Sequence, residues 1–233
     1  MKILVSDFDG TIFDDNFNNN IEAIKRFIDR GNIFIIATGR NITSLKNEIE
    51  HLEIKYSYLI CNDGGTIYDA NDNLLAYKAI DPELVPKIYN FLDANRKATQ
   101  EVFMDMGGEY SIDTSDRTIT LISKIKDKEK CNEILSQLLT KYEGINGYLS
   151  KNWINIISSE VSKGKAIEYL ANENNFDTNE IYTIGDDIND ISMIKQFNGY
   201  VINHYDRLLD YSNKVVNSIE ELINMLLDES HNN

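Results

Sequence analysis

The chain has 233 residues, enough for one large domain or for a medium domain carrying a smaller insert. Its 38 acidic against 23 basic residues give a formal charge of -15, which argues against a nucleic-acid surface and means that an anionic ligand needs a local cation. Cys61 and Cys131 are the only cysteines, no Cys/His cluster occurs, and the chain opens on a strand-like run; a disulfide framework, a zinc site, a leader segment and a membrane span are therefore not expected, and a cytoplasmic location is.

In chain order, Ile3-Leu4-Val5 reads as a strand that stops at Asp7-Phe8-Asp9-Gly10-Thr11. Side chains at i and i+2 of an extended segment share a face, so Asp7 and Asp9 are expected together just past the strand end, where open α/β sheets bind ligands. Taken alone, Asp-x-Asp-Gly is also ordinary turn chemistry, and only partners elsewhere in the chain decide between the two. The asparagine-rich patch from Asn16 to Asn20 predicts a loop and N-cap, followed by a helix carrying Ile21, Ile24, Phe27 and Ile28 with Gly31 at its C-cap. Ile33 to Ala37 is a continuous apolar run of the kind buried on both faces of a parallel sheet, ending in Thr38-Gly39-Arg40. Asn41 or Thr43 is placed to cap a helix with Leu45, Ile49 and Leu52, and Tyr58 to Cys61 is a third strand. After Asn62-Asp63-Gly64-Gly65, Thr66-Ile67-Tyr68 and Leu74 to Tyr77 read as a hairpin.

From Asp81-Pro82 the rhythm changes. A helix through Val85, Ile88, Tyr89 and Leu92 precedes strand-like pieces at Glu101 to Asp105, Glu109 to Asp113 and Arg117 to Ile125. A second helix carries Cys131, Ile134, Leu135, Leu138 and Leu139, and a hairpin of Gly147 to Ser150 with Trp153 to Ile157 closes the segment. Strand-helix alternation then resumes with a helix opened by Lys163-Gly164-Lys165 and running to Phe176. A strand at Glu180 to Ile184 follows, ending in Gly185-Asp186-Asp187-Ile188-Asn189-Asp190. A short helix through Met193 and Ile194, strands at Gly199 to Ile202 and Lys214 to Val216, and a helix from Ile219 to Leu227 finish the chain, with Asp228 to Asn233 as a tail. The predicted fold is α/β, a doubly wound Rossmann-like parallel sheet core (residues 1–80 and 159–233) with an inserted α+β domain (residues 81–158).

Asp7 and Asp9, Thr38, Lys163, and Asp186 with Asp190 each fall at or near a strand exit or helix entrance of the outer unit, so the topology brings them to one edge of the sheet. Carboxylates converging there repel one another by several kcal/mol per pair at about 4 Å and an effective dielectric of about 20. A divalent cation resolves this, and an all-oxygen ligand set indicates Mg2+. A hydroxyl, helix-start N–H groups, a lysine ammonium and the ion make a cradle for a dianionic phosphate, and an aspartate beside it is placed to attack.

Together, DFDGT, Thr38-Gly39-Arg40, Val161-Ser162-Lys163-Gly164 and GDDIND resemble motifs I to IV of the haloacid dehalogenase (HAD)-like hydrolases, in the Cof-type subgroup (subclass IIB), and they occur in that family's order over nearly the whole chain. The insert, between motifs II and III, resembles the small C2B cap. The resemblance implies a Mg2+-dependent phosphomonoesterase acting on a small phosphorylated metabolite, most simply a sugar phosphate, through an aspartyl-phosphate, with no nucleic-acid or membrane partner. Asp7 becomes the nucleophile and a metal ligand; Asp9 the acid toward the leaving alcohol and then the base on water, its backbone carbonyl on the metal. Thr38 holds phosphoryl oxygens, with Gly39, Arg40 and Asn189 beside it on the substrate, Lys163 neutralises charge, and Asp186 ligates the metal with support from Asp190.

Other readings stay open at this stage. The same motifs serve a phosphomutase of the superfamily, and an acidic pocket with a threonine and a lysine also suits a non-enzymatic phospho-aspartate receiver. Arg40 is balanced between a phosphate or cap contact and a surface position. Asp187 reads as a local hydrogen-bonding residue, Trp153 as core of the insert, and Met106-Gly107-Gly108-Glu109 as a hairpin turn that is also the insert's best candidate to face the site. His51, His204 and His231 carry no role. Asp63 stands where the resembled family has glycine, which puts the contribution of the 62–65 loop in doubt.

Overall fold

The first strand, β1 (Ile3–Ser6), lies in the middle of an eight-stranded sheet, and the chain builds outward from it in two directions. In this computed structural model residues 1–52, 54–112, 117–150, 153–202 and 208–229 are described; His204, His231 and the end of the predicted 109–113 strand lie outside them. Through α1 (Phe17–Asp29), β2 (Ile33–Ala37), α2 (Ile42–Ile49) and β3 (Tyr58–Cys61), the chain adds parallel strands on one side. The hairpin β4 (Thr66–Asp69) and β5 (Leu74–Tyr77) extends that edge antiparallel.

A second unit follows: α3 (Val85–Ala94), β6 (Thr99–Asp105), β7 (Tyr110–Ser111), β8 (Thr120–Ile125), α4 (Lys128–Lys141), β9 (Ile145–Ser150) and β10 (Trp153–Ser158). The chain then returns to the first sheet through α5 (Lys163–Asn174), β11 (Ile181–Gly185), α6 (Ile191–Gln196), β12 (Asn198–Ile202), β13 (Val215–Val216) and α7 (Ile219–Glu229). The strand order is β13-β12-β11-β1-β2-β3-β4-β5. The direction of winding reverses between β1 and β11, and such a switch point opens a crevice at the strand C-termini.

The central strands are apolar throughout because both their faces are covered. Leu4, Phe34 and Leu59 pack with Phe27 of α1 and Leu222 of α7, whereas Val5, Ile35 and Ile60 pack with Ile167 of α5 and Met193 of α6. The second unit is a five-stranded antiparallel sheet, β7-β6-β8-β10-β9. Val102, Leu121, Ile154 and Ile156 pack with Ile88 of α3 and Leu138 of α4. The alternate residues Phe103, Ile122, Asn155 and Tyr148 form a row in register across β6, β8, β10 and β9, and they line the space between the two sheets.

Three local expectations change. Of the asparagine patch, Asn16 is the N-cap as expected, but the rest is not a loop: α1 starts at Phe17, so Asn18, Asn19 and Asn20 are helical. The reason is tertiary, since the buried Asn20 amide donates to the Ile12 carbonyl (3.1 Å) and Asp14 Oδ1 (2.9 Å) while its oxygen accepts from the Glu220 N–H (3.2 Å). Leu52 lies beyond the end of α2, which Asn41, not Thr43, caps by accepting from the Ser44 N–H at 2.8 Å. Phe176 lies past α5, because Asn175 turns left-handed at φ 53 and ends the helix.

Asn20 therefore ties the segment after β1 to α7. Asn20→Ala leaves these backbone groups buried without partners and is expected to lower stability by about 1–3 kcal/mol, seen as a lower urea midpoint with an unchanged slope; an unchanged midpoint contradicts it.

Candidate active site

β1 and β11 are neighbours at the switch point, so Asp7 and Asp186, the residues just past their ends, are brought together. Asp7 keeps the strand line, donating its N–H to the Ile184 carbonyl at 3.0 Å. The packing leaves no room for side chains at two glycines. A Cβ on Gly10, whose φ is 91, would sit 2.5 Å from Asp186 Oδ2, and one on Gly185 would sit 2.4 Å from the Asp190 carboxyl. Thr11 Oγ1 donates to Asp186 Oδ1 at 3.2 Å.

Lys163 is the first residue of α5, whose N-cap Ser162 accepts from the Lys165 N–H at 3.2 Å. The fully buried Lys163 ammonium donates to Asp7 Oδ1 at 2.5 Å and to Asp190 Oδ1 at 2.6 Å. Asp190 Oδ2 accepts from the N–H groups of Asp186 (3.0 Å) and Asp187 (3.1 Å). Asp190 thus fixes the lysine on one side and the Asp186 backbone on the other.

The electrostatics show an excess of negative charge. Burial pushes the Asp7 carboxyl well above its ordinary range, against the pull of Lys163, and Asp190 and Asp186 add to the rise. Burial and the neighbouring Asp190 push Asp186 up to about 7. Burial alone disfavours the Lys163 ammonium, but Asp190 and Asp7 outweigh it and hold it charged. One oxygen from each of Asp7, Asp186 and Asp190 lies within 4.8 Å of the others. Buried carboxylates short of positive charge, offering only oxygen, fit a hard divalent cation.

Thr38 and Gly39 border the same cavity, of about 610 Å³, with Asp7, Asp9, Asp186 and Asn189. Thr38 Oγ1 accepts from the Arg40 N–H at 3.1 Å. Arg40 grips Asp9: Nε and one terminal nitrogen donate to the two Asp9 oxygens at 2.7 Å each, and the other reaches Glu48 at 2.9 Å. The guanidinium lies over the Phe8 ring, 5.4 Å from its centre. Its donors are thus directed to carboxylates of its own unit. The hydrogen bond to Asp9 outweighs the burial that disfavours its charge, so its pKa is raised.

Sequence reasoning missed the second unit's share of the site. Asn62 and Asp63 are consecutive left-handed residues, at φ 51 and 58. Asp63 donates its N–H to the Thr38 carbonyl at 3.0 Å. Its buried carboxylate accepts from Asn189 Nδ2 at 2.8 Å and from the Tyr148 hydroxyl of β9 at 2.5 Å. Ser150 Oγ donates to Asp187 Oδ2 at 3.0 Å, so Asp187 has a partner beyond its own turn. Asp105 of β6 accepts from Asn41 Nδ2 (2.8 Å) and Asn62 Nδ2 (2.9 Å). The only advance sign of this was the aspartate in place of glycine at position 63.

Two expectations about the second unit change as well. Trp153 is not core: it is 38% exposed and borders the cavity, on the sheet face turned away from α3 and α4. Met106 to Glu109 do form a hairpin turn, Met106 N–H to Glu109 carbonyl 2.9 Å. The turn docks on the first sheet, with the Tyr68 hydroxyl on the Gly107 carbonyl at 3.2 Å, and none of its residues borders the cavity.

Known proteins share this fold, and others match most of this sequence. The family model for haloacid dehalogenase-like hydrolases matches residues 4–115 and 96–224. A 5-amino-6-(5-phospho-D-ribitylamino)uracil phosphatase of Bacillus subtilis is 25% identical over 202 residues, covering 84% of this chain and 81% of the relative. A phosphoglycolate phosphatase of Methanobrevibacter smithii is 26% identical over 198 residues, covering 82% and 80%. Two solved haloacid dehalogenase-like hydrolases share the fold: one from Bacteroides thetaiotaomicron at TM-score 0.79 (19% identity, 97% of this chain and 99% of that one) and one from B. subtilis at 0.81 (17% identity, 97% and 98%). The chain belongs to the haloacid dehalogenase-like hydrolases. Within that family it is a phosphatase, as the two relatives just described are named.

The raised carboxyls carry a pH signature. A carboxyl that ionises later when folded than when unfolded binds more protons in the native state, so stability falls as pH rises from its ordinary value toward the folded one. For Asp186 that window runs from near 3.8 to about 7. A divalent cation at the cluster relieves the repulsion only where the carboxylates are ionised. Millimolar Mg2+ is therefore expected to raise the melting temperature more at pH 8 than at pH 5; an equal shift at both contradicts a carboxylate site.

Proposed function

We propose that this phosphatase is a Mg2+-dependent phosphomonoesterase that works through an aspartyl-phosphate on Asp7, with residues 81–158 as its cap. The observation that carries the reading is the Lys163 ammonium, buried between Asp7 and Asp190 at 2.5 and 2.6 Å. It leaves the second Asp7 oxygen as the nucleophile, in a carboxyl that borders the cavity and that a bound divalent ion would keep ionised against the rise that burial imposes.

Asp7 and Asp186, with the Asp9 backbone carbonyl, would hold the ion, and Asp190 would complete the acidic cluster and anchor it; when bound, the ion would offset charge on the phosphoryl oxygens. The Asp7 oxygen attacks phosphorus, the ester P–O bond breaks, and the leaving oxygen takes a proton from Asp9. Asp9 then removes a proton from water, which attacks the phosphoryl group and breaks its bond to Asp7, releasing inorganic phosphate. Both Asp9 oxygens accept from Arg40, so one of these bonds opens for each proton transfer; Arg40 positions the acid/base, in place of the substrate contact considered for it. Thr38, Gly39 and Asn189 hold the phosphoryl oxygens. Uncatalysed hydrolysis of such esters is slow enough that enhancements of up to about 10²¹ are known, so the burden is shared among all of these contacts.

The substrate is a small phosphorylated metabolite of the sugar-phosphate kind. The two relatives described above are named for different esters, a ribityl compound and phosphoglycolate, and neither name is carried over. Both cysteines are free, which supports action in the reducing cytoplasm. No helix among the described residues is long and apolar enough to cross a membrane.

Asp7→Asn keeps the shape and the lysine contact but removes the nucleophile. Phosphate release from a panel of phosphorylated metabolites with Mg2+ is expected to fall at least 10³-fold with circular dichroism unchanged. Substantial residual turnover contradicts the aspartyl-phosphate route.

A further inference from the structure

The face of the second sheet that looks into the cavity has a hydrogen-bonding polarity of its own. Tyr148 and Ser150 are two apart on β9 and so share a face. A hydroxyl carries one proton to donate and two lone pairs to accept with. The Tyr148 proton goes to Asp63 (2.5 Å) and the Ser150 proton to Asp187 (3.0 Å). Burial and the Asp63 charge push Tyr148 ionisation well above its ordinary range, so the group stays a phenol. Both residues border the cavity, and what they present to it is lone pairs.

The charges around them point the same way. Asp7, Asp9, Asp105, Asp186 and Asp187 border the cavity, and Arg40 is the sole cation among its described lining residues. Arg40 is already engaged by Asp9 and Glu48, as Lys163 is by Asp7 and Asp190. A divalent ion balances one phosphate dianion and leaves the rest of the cavity negative. The row from Phe103 through Ile122 and Asn155 to Tyr148 holds no cation to receive a second anionic group.

We propose that β9 selects the leaving group: Tyr148 and Ser150, held as acceptors by Asp63 and Asp187, favour a phosphate monoester whose leaving group carries hydroxyl or N–H donors and no second anionic group. This rests on the phosphatase reading above and narrows it. Asp63 and Asp187 act through the two hydroxyls and are positioning residues. Carboxylate-bearing esters and bisphosphates are excluded as good substrates.

The test compares kcat/KM within two matched pairs in the presence of Mg2+: glucose 6-phosphate against 6-phosphogluconate, and glycerol 3-phosphate against 3-phosphoglycerate, with p-nitrophenyl phosphate as a general ester. At least about tenfold preference for the carboxylate-free member is expected in one pair or both. Tyr148→Phe is expected to reduce that preference several-fold, by removing an acceptor for the C1 hydroxyl that the other member of each pair replaces with a carboxylate. Ile122→Arg, which sets a cation in the row, is expected to shift it at least tenfold toward the carboxylate-bearing member. If Tyr148 served only to fasten the two units, its loss would slow both members alike and leave the ratio unchanged; that result overturns the proposal. So does hydrolysis of p-nitrophenyl phosphate with no preference in either pair, or with preference for the carboxylate-bearing member. Release from none of the five esters overturns the phosphomonoesterase reading itself, and this inference falls with it.

Discussion

The Lys163 ammonium is the contact on which the site depends. It has no access to solvent, and it is held by one carboxylate from the end of β1 and another from the turn after β11. Removing one partner of such a buried arrangement leaves an uncompensated charge, at a cost of about 3–5 kcal/mol. The start of α5, the end of β1 and the 186–190 turn must therefore stay in register for the chain to remain folded at this point. The same demand explains why Gly10 and Gly185 have no room for side chains: the carboxylates occupy the space. Stability and chemistry are here set by one ion-pair network.

The contact between the two sheets follows from the surplus carboxylates. Asp63 and Asp187 of the first unit accept hydroxyls from β9, and Asp105 of the second accepts amides from Asn41 and Asn62. These are polar fasteners at the edge of the cavity. An interface of this kind can open without exposing a large apolar surface, unlike the helix-facing core of the second sheet, which cannot. The double left-handed turn at Asn62 and Asp63 makes the arrangement possible, aiming one side chain toward Asp105 and the next toward Tyr148. Strain at two consecutive non-glycine residues persists only where surrounding contacts over-determine it, and here backbone, amide and phenol all do.

Elements buried on both faces were legible in the sequence. Ile33 to Ala37 and Tyr58 to Cys61 read as strands to the residue, because a short apolar run between turn signals, too brief for a helix, fits a strand covered on both sides. The motifs at strand ends were legible for the same topological reason: parallel strands deliver their C-termini to one edge. What could not be read depends on partners distant in sequence. Asn20 sits in a helix because α7 and the post-β1 carbonyls need it there. Arg40 turns to Asp9, a choice among nearby anions that no local pattern encodes. Trp153-Ile154-Asn155-Ile156-Ile157 carries bulky apolar groups on both faces, so its alternation did not reveal which face holds the core.

That alternation has a further consequence. Along β6, β8 and β10, residues packed against α3 and α4 interleave one by one with residues that border the cavity. Val102 and Leu121 keep the sheet folded, while their neighbours Phe103 and Ile122 touch whatever enters. The pleat keeps the two sets on opposite sides of a single backbone, so a substitution in one hardly disturbs the packing of the other. Single-residue changes on the cavity face can therefore alter what the cavity accepts with little effect on the scaffold's stability, while the carboxylate-bearing edge of the larger sheet stays as it is.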